Sequence, residues 1–344
     1  MLINAYYILK PLIPRWAQIA IRRRMVSHQR SRNVHRWPVW EQAGNPPPAW
    51  PGWPNGKKFA LILTHDVELD FGVSQCDQLA RIEEERGFFS TFAFVPIRYN
   101  HPEMVEPLRQ SLIERGFSII VHDLYHDGKL FLNRPLFDKR RPLINQYLKA
   151  WDTRGFASGA ALHDLQWIGE LDIDYSISTY DCDPFEPQGC SVGRIFPYWV
   201  QEPNSVRGYV EMPYTLAQDF TAFILMQEET DHLWRIKLDW IASKGGMALI
   251  KTHPDYMSFR QETNTKDRYP VKLYTDFLDY VNEQYREEAW IATPAEVANY
   301  WKEVGAGRPA GTSPIAFQDT FCATCQQAHG ARWLHEYCVP GSAS

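Results

Sequence analysis

Four short stretches of this chain carry side chains that can hold a metal ion or move a proton. Asp66 and Glu68 stand two apart in Thr64-His65-Asp66-Val67-Glu68, and His122 and His126 stand four apart. Asp181 and Asp183 follow Tyr180, and His253 and Asp255 flank Pro254. On an extended chain Asp66 and Glu68 point to the same side. Two carboxylates so placed repel each other unless a cation, a proton or a substrate lies between them. On a helical turn His122 and His126 would share one face and could share a metal. Two imidazoles and one carboxylate leave coordination positions open, which is the form of a catalytic zinc or related divalent site. Such an ion acidifies water and polarises a carbonyl. A second carboxylate can then take a proton from water, and His253 on the opposite wall can protonate a leaving group. Asp181 or Asp183 could orient that histidine, as carboxylates behind a site do.

Each of these stretches follows a short apolar run. Phe59–Thr64, Phe88–Val95, Phe117–Val121, Gly155–Gly159, Tyr175–Thr179, Tyr209–Met212, Met247–Lys251 and Trp290–Ala292 read as strands. Between them, helical spacing predicts helices over Val73–Arg86, Pro102–Arg115, Asn133–Thr153, Leu162–Glu170, Glu228–Ser243 and Val271–Glu287. A last helix runs from Pro294 to Lys302 with Thr293 as its N-cap. Alternating strands and helices predict an α/β fold with a parallel sheet, and seven or eight strands favour a barrel in one main domain. The carboxyl ends of such strands share one face, where ligands bind. Four strand ends therefore bring carboxylates and imidazoles to one rim.

The order of these motifs, Thr64-His65-Asp66-Val67-Glu68, then His122-x-x-x-His126, then Lys251-Thr252-His253-Pro254, resembles the polysaccharide deacetylase superfamily. The resemblance spans roughly Lys58 to Trp301 and implies a distorted (β/α)7 barrel. The family's first motif is Thr-Phe-Asp-Asp-Gly, whose first Asp is the general base and second a metal ligand. The resemblance implies that Asp66 is the base, that His122 and His126 hold the metal, and that His253 is the catalytic acid. Val67 stands where the second Asp would be, so Glu68 is the first choice as carboxylate ligand and Asp66 the second. Ala157 occupies the place of an Arg that pairs with the base in the family, and His163 and Arg154 are the nearby residues that could compensate. Tyr214, His163 and Asp183 are candidates for substrate contact, with Trp199 beside Tyr214 as another wall of a sugar groove or as core.

The chain has 344 residues, 44% of them hydrophobic and 22% charged, which suits a globular enzyme. A net charge of -5, with no long basic stretch in the body, argues against a nucleic-acid binder. The expected organisation is an N-terminal arm and Pro-rich leader over 1–56, the barrel over 57–304 and a poorly ordered tail over 305–344. Residues 1–25 place their arginines after a Pro-broken apolar part, the reverse of a secretory signal, and are too broken to span a membrane. They read as an arm packed on the body or as a basic, peripheral membrane-surface segment. Six cysteines are too sparse for a disulfide-built fold, so a reducing, cytoplasmic setting is expected. Cys322, Cys325, His329, His335 and Cys338 have the ligand types zinc takes, in a spacing that fits no named pattern. The function these readings support is metal-dependent removal of an acyl group, N-acetyl above all, from a carbohydrate, with Zn2+ as the expected ion. The alternatives are hydrolysis of another non-peptide carbon–nitrogen bond, such as a cyclic amide, and a catalytically impaired glycan binder.

Overall fold

The structure, a computed structural model, describes residues 14–201, 207–260 and 264–305. Its strands are β1 (Phe59–Val67), β2 (Thr91–Phe94), β3 (Ser118–His122), β4 (Gly155–Ala157), β5 (Tyr175–Ser176), β6 (Tyr198–Gln201), β7 (Gly208–Glu211), β8 (Met247–Thr252), β9 (Met257–Ser258), β10 (Tyr269–Pro270) and β11 (Ala289–Ile291). Its α-helices are α1 (Arg15–Arg32), α2 (Asp70–Glu85), α3 (Val105–Glu114), α4 (Arg134–Ala150), α5 (Leu165–Ile168), α6 (His232–Lys244), α7 (Lys272–Tyr285) and α8 (Pro294–Val304).

β1 is buried along its whole length, as a strand covered on both faces must be. It runs past Thr64 to Val67, so Asp66 lies within the strand and Glu68 just beyond it. Its parallel neighbours are β8 on one edge, and β11 followed by β2 on the other. From β2 the parallel order continues through β3, β4, β5 and β7, and β8 returns to β1. Seven parallel staves thus form a distorted (β/α)7 barrel. β11 is wedged between the starts of β1 and β2, and β6 lies antiparallel outside β7. No regular ladder joins β7 to β8. There Thr215 closes the ring: its backbone N–H donates to Leu249 O at 3.0 Å, and its hydroxyl donates to Met247 O at 3.0 Å and accepts from the Leu249 N–H at 2.9 Å.

The helices cover the barrel with their apolar stripes. Val73, Cys76, Leu79 and Ala80 face inward from α2, and Leu273, Phe277, Leu278 and Val281 from α7. The face of β1 opposite Asp66 carries a buried polar knot. His65 bonds Thr252 Oγ1 at 2.7 Å and Glu83 Oε1 at 2.8 Å, while the Ser90 and Tyr274 hydroxyls donate to Glu83. At the amino-terminal end of the strands, Trp50, Trp53, Trp290, Tyr300 and Trp301 pack as an aromatic floor. Thr293 caps α8 in a capping box with Glu296.

Residues 14–56 lie against the barrel. Ile19 and Val26 of α1 join the main core, and Arg23 Nε donates to Ile224 O at 2.9 Å. Trp16, Ile21 and Met25 on the outer side of α1 are exposed. Among the described residues no helix is long and apolar enough to cross a membrane. Two local expectations change. The helix expected over Leu162–Glu170 is the single turn α5, because Ala160 and Ala161 take positive φ and Asp164 caps the helix late. β6 and a six-residue π-helix over Phe220–Leu225 were not anticipated. The tail cysteines and histidines, Cys322 to Cys338, lie outside the described residues. Truncating the central strand at Leu61, which is fully buried, is expected to cost about 2–5 kcal/mol. Urea unfolding of Leu61→Ala measures this, and an unchanged midpoint would deny β1 its central place.

Candidate metal centre

Three expected residues meet at the carboxyl ends of β1 and β3. One ligand atom each from Glu68, His122 and His126 lie within 4.8 Å of one another, a grouping that could hold a metal ion. His126 Nε2 is 3.0 Å from Glu68 Oε1. His122 ends β3 and is wholly buried, and its Nδ1 donates to Ala157 O at 3.2 Å. That bond leaves Nε2 with its lone pair turned toward Asp66 Oδ2, 3.6 Å away. Burial pushes His122 down to about 4 against the pull of Asp66, so the ring is neutral, as a ligand must be. His122 Nε2 and Asp66 Oδ1 are buried with no hydrogen-bond partner. The bare lone pair of His122, beside Glu68 and His126, fits a bound divalent cation.

The two histidines do not lie on a helical turn, as their spacing suggested. They are joined by a loop in which Asp123 and His126 both take positive φ, 54° and 51°. Asp123 tolerates this because its Oδ1 accepts from the Leu124 N–H at 2.6 Å. The loop is held from outside by Arg98, which no spacing pattern singled out. Its guanidinium donates to Glu68 O at 2.8 Å, His126 O at 2.8 Å and Tyr125 O at 3.2 Å. Asp255 holds the other side of Glu68, accepting from the N–H groups of Glu68, Leu69 and Gly72 at 2.8, 3.0 and 3.1 Å.

His253 follows β8, and its Nε2 is 3.7 Å from Glu68 Oε1. Its orienting carboxylate is neither Asp181 nor Asp183. It is Asp219, which opens the π-helix and accepts from His253 Nδ1 and from the His253 backbone N–H, both at 2.7 Å. Tyr269 and the Phe220 N–H also donate to Asp219. Burial disfavours the charged ring of His253, but Asp219, then Glu68 and Asp66, outweigh it and lift the pKa to about 10. Asp181 instead binds Lys237 at 2.5 Å. The only hint of Asp219 in the sequence is that it is the one charged residue in the stretch from Leu216 to Leu225.

The residues suggested for substrate contact do not front this cluster. Tyr214 is fully buried and donates to Glu186 at 2.6 Å, and Trp199 is core as well. His163 is buried with Nδ1 bonded to Ala161 O, and burial pushes its pKa to about 4. Asp183 is buried and accepts from the Phe185 N–H at 2.8 Å. Ala157 is buried, and Arg154 is engaged at the surface with Asp174. The cation beside Asp66 is Lys251 of β8, with Nζ 3.5 Å from Oδ2. With burial opposing them, His122, Lys251 and His253 hold the Asp66 carboxyl below its usual range.

Gly159 makes room for this arrangement. A Cβ there would stand 2.6 Å from Asp123 Oδ2 and 2.9 Å from His126 Cδ2. Gly159→Ala is therefore expected to weaken zinc binding about 10–100-fold. Chelator competition measures it, and unchanged affinity would show that His126 is not a ligand.

No family model and no curated protein matches this chain. Solved structures do. A protein designated a polysaccharide deacetylase from Mycobacterium smegmatis superposes with a TM-score of 0.55 at 15% identity, over 78% of this chain and 98% of its own. A peptidoglycan deacetylase of Bacillus subtilis aligns over 74% of this chain and 96% of its own, at 10% identity and a TM-score of 0.40. At such identities the first of these likenesses speaks for architecture, and the distorted barrel described here is the fold it shares with the Mycobacterium smegmatis polysaccharide deacetylase.

Proposed function

We propose that this protein hydrolyses an acyl group, N-acetyl foremost, from a carbohydrate. The observation that carries this reading is the convergence at one rim of Glu68, His122 and His126 with Asp66 3.6 Å from one of them and His253 3.7 Å from another. Glu68, His122 and His126 would hold a divalent ion, with Zn2+ the first candidate for this donor set. Once bound, the ion would supply Lewis acidity toward the acyl carbonyl and toward water.

The chain's own residues account for the proton movements. Asp66 Oδ1, buried and without a partner, accepts the proton of the water that adds to the acyl carbon. His253 donates Nδ1–H to Asp219, and the raised pKa keeps the ring an imidazolium that carries a second proton on Nε2. It gives that proton to the departing nitrogen as the C–N bond breaks, leaving an amine and a carboxylate. Asp219 fixes the tautomer and direction of the ring, as the buried carboxylate does in other His-based sites.

Zinc-loaded protein is expected to release acetate from N-acetylated oligosaccharides. Asp66→Asn should lower kcat about 10²–10⁴-fold with zinc retained, and His122→Ala should lose zinc. A protein that binds zinc yet releases no acyl group from any acetylated sugar would sink this reading. Asp219→Asn removes the charge that raises the His253 pKa. The acid works only when protonated, so the alkaline limb of kcat/KM should move to lower pH. A limb that stays in place would remove Asp219 from this role.

A further inference from the structure

The carboxylates of Asp66 and Glu68 sit two residues apart but have different company. The ion-pair partners of Glu68 Oε1 among the described residues are histidines, His126 at 3.0 Å and His253 at 3.7 Å. Asp66 Oδ2 has His122 at 3.6 Å and the ammonium of Lys251 at 3.5 Å. Lys251 follows the apolar run Met247–Ile250 on β8 and is 1% exposed. A lysine is almost never buried so deeply unless it is paired, because an unpaired ammonium in an apolar interior is costly. Its Nζ donates to Ile177 O at 3.0 Å, its ring neighbour is Tyr214 at 5.8 Å, and Asp66 is its only ion-pair partner among the described residues.

We propose that Lys251 is a positioning residue that assigns the two carboxylates their separate tasks. By holding Oδ2 of Asp66, its ammonium keeps that carboxylate from joining a cation bound at Glu68, His122 and His126, and leaves Oδ1 free. This deepens the hydrolase reading and rests on it where Asp66 is called the base. The physical reason is simple. A divalent cation and an ammonium compete for the same anion, and at short range in a buried site neither is screened. Without the ammonium, Asp66 stands 3.6 Å from His122 of the metal cluster with no lysine or arginine paired to it among the described residues. It would turn to the cation and stop serving as a base.

Opposite effects on two measurements follow. Lys251→Met keeps the length and apolar stem but removes the charge. It should bind zinc about tenfold more tightly, by chelator competition without substrate. Its kcat should fall about 10²-fold or more with KM nearly unchanged. Lys251→Arg keeps the charge and should keep the wild-type zinc affinity. A lysine needed only for packing would instead weaken zinc binding in Lys251→Met, and equal or weaker binding there overturns the proposal. So does tighter binding in Lys251→Arg to the same degree as in Lys251→Met. Tighter zinc binding in Lys251→Met alone, with a wild-type protein that turns over no acylated sugar, would uphold the control of Asp66 by Lys251 and sink the hydrolase reading instead.

Discussion

Burying two carboxylates side by side at the end of β1 is the constraint that the rest of the site answers. An ionised carboxylate without a partner in an apolar interior costs far more than the whole margin of stability of a domain. Asp66 and Glu68 therefore need positive charge or lone-pair-hungry neighbours from other strands. The barrel supplies them because neighbouring staves end at the same level. His122 arrives from β3, and Lys251 and His253 arrive from β8. Backbone groups are enlisted as well. Arg98 takes the carbonyl of Glu68 and Asp255 takes its N–H, so the peptide units on either side of Glu68 are pinned. Asp255 does this at some electrostatic cost: burial and the nearby Glu68 push its own pKa up to about 7.

The staves were legible because a strand covered on both faces must be almost wholly apolar. The runs ending at Asp66, His122 and His253 stand out for that reason. The same contrast exposed the metal-type residues, since a polar residue at the end of such a run has to be used. What failed to show was anything without a period. The loop from His122 to His126 mimics helical spacing, yet its geometry comes from two left-handed residues and the space left by Gly159. Asp219 sits at the mouth of a π-helix, whose side chains follow neither the strand nor the α-helix repeat, and it reaches His253 across 34 positions of chain. Arg98 acts only on carbonyl oxygens, which leave no trace in side-chain chemistry.

Lys251 belongs to a third kind, visible in the sequence but with no role that spacing assigns. It lies in the stretch Lys251-Thr252-His253-Pro254 that first drew attention to His253, and a lysine after four apolar residues of a buried strand is itself a flag. The positive charge near Asp66 comes not from the position of Ala157 on β4 but from β8, the stave paired directly with β1, so charge at a site follows spatial neighbourhood more than place in a motif.

The seam at Thr215 has a bearing on where the barrel can vary. Every other pair of neighbouring staves is spaced by a ladder of backbone bonds, and the separation is then the same for any sequence. Between β7 and β8 the spacing rests on the N–H groups of Thr215 and Leu216, both donating to Leu249 O, and on one hydroxyl bridging Met247 and Leu249. Tyr214 precedes Thr215 on one flank of this joint, and on the other Lys251 and His253 lie farther along the chain of β8. The separation of these two staves thus depends in part on a side chain, and a change at Thr215 alone can alter it along the strand that carries Lys251 and leads to His253.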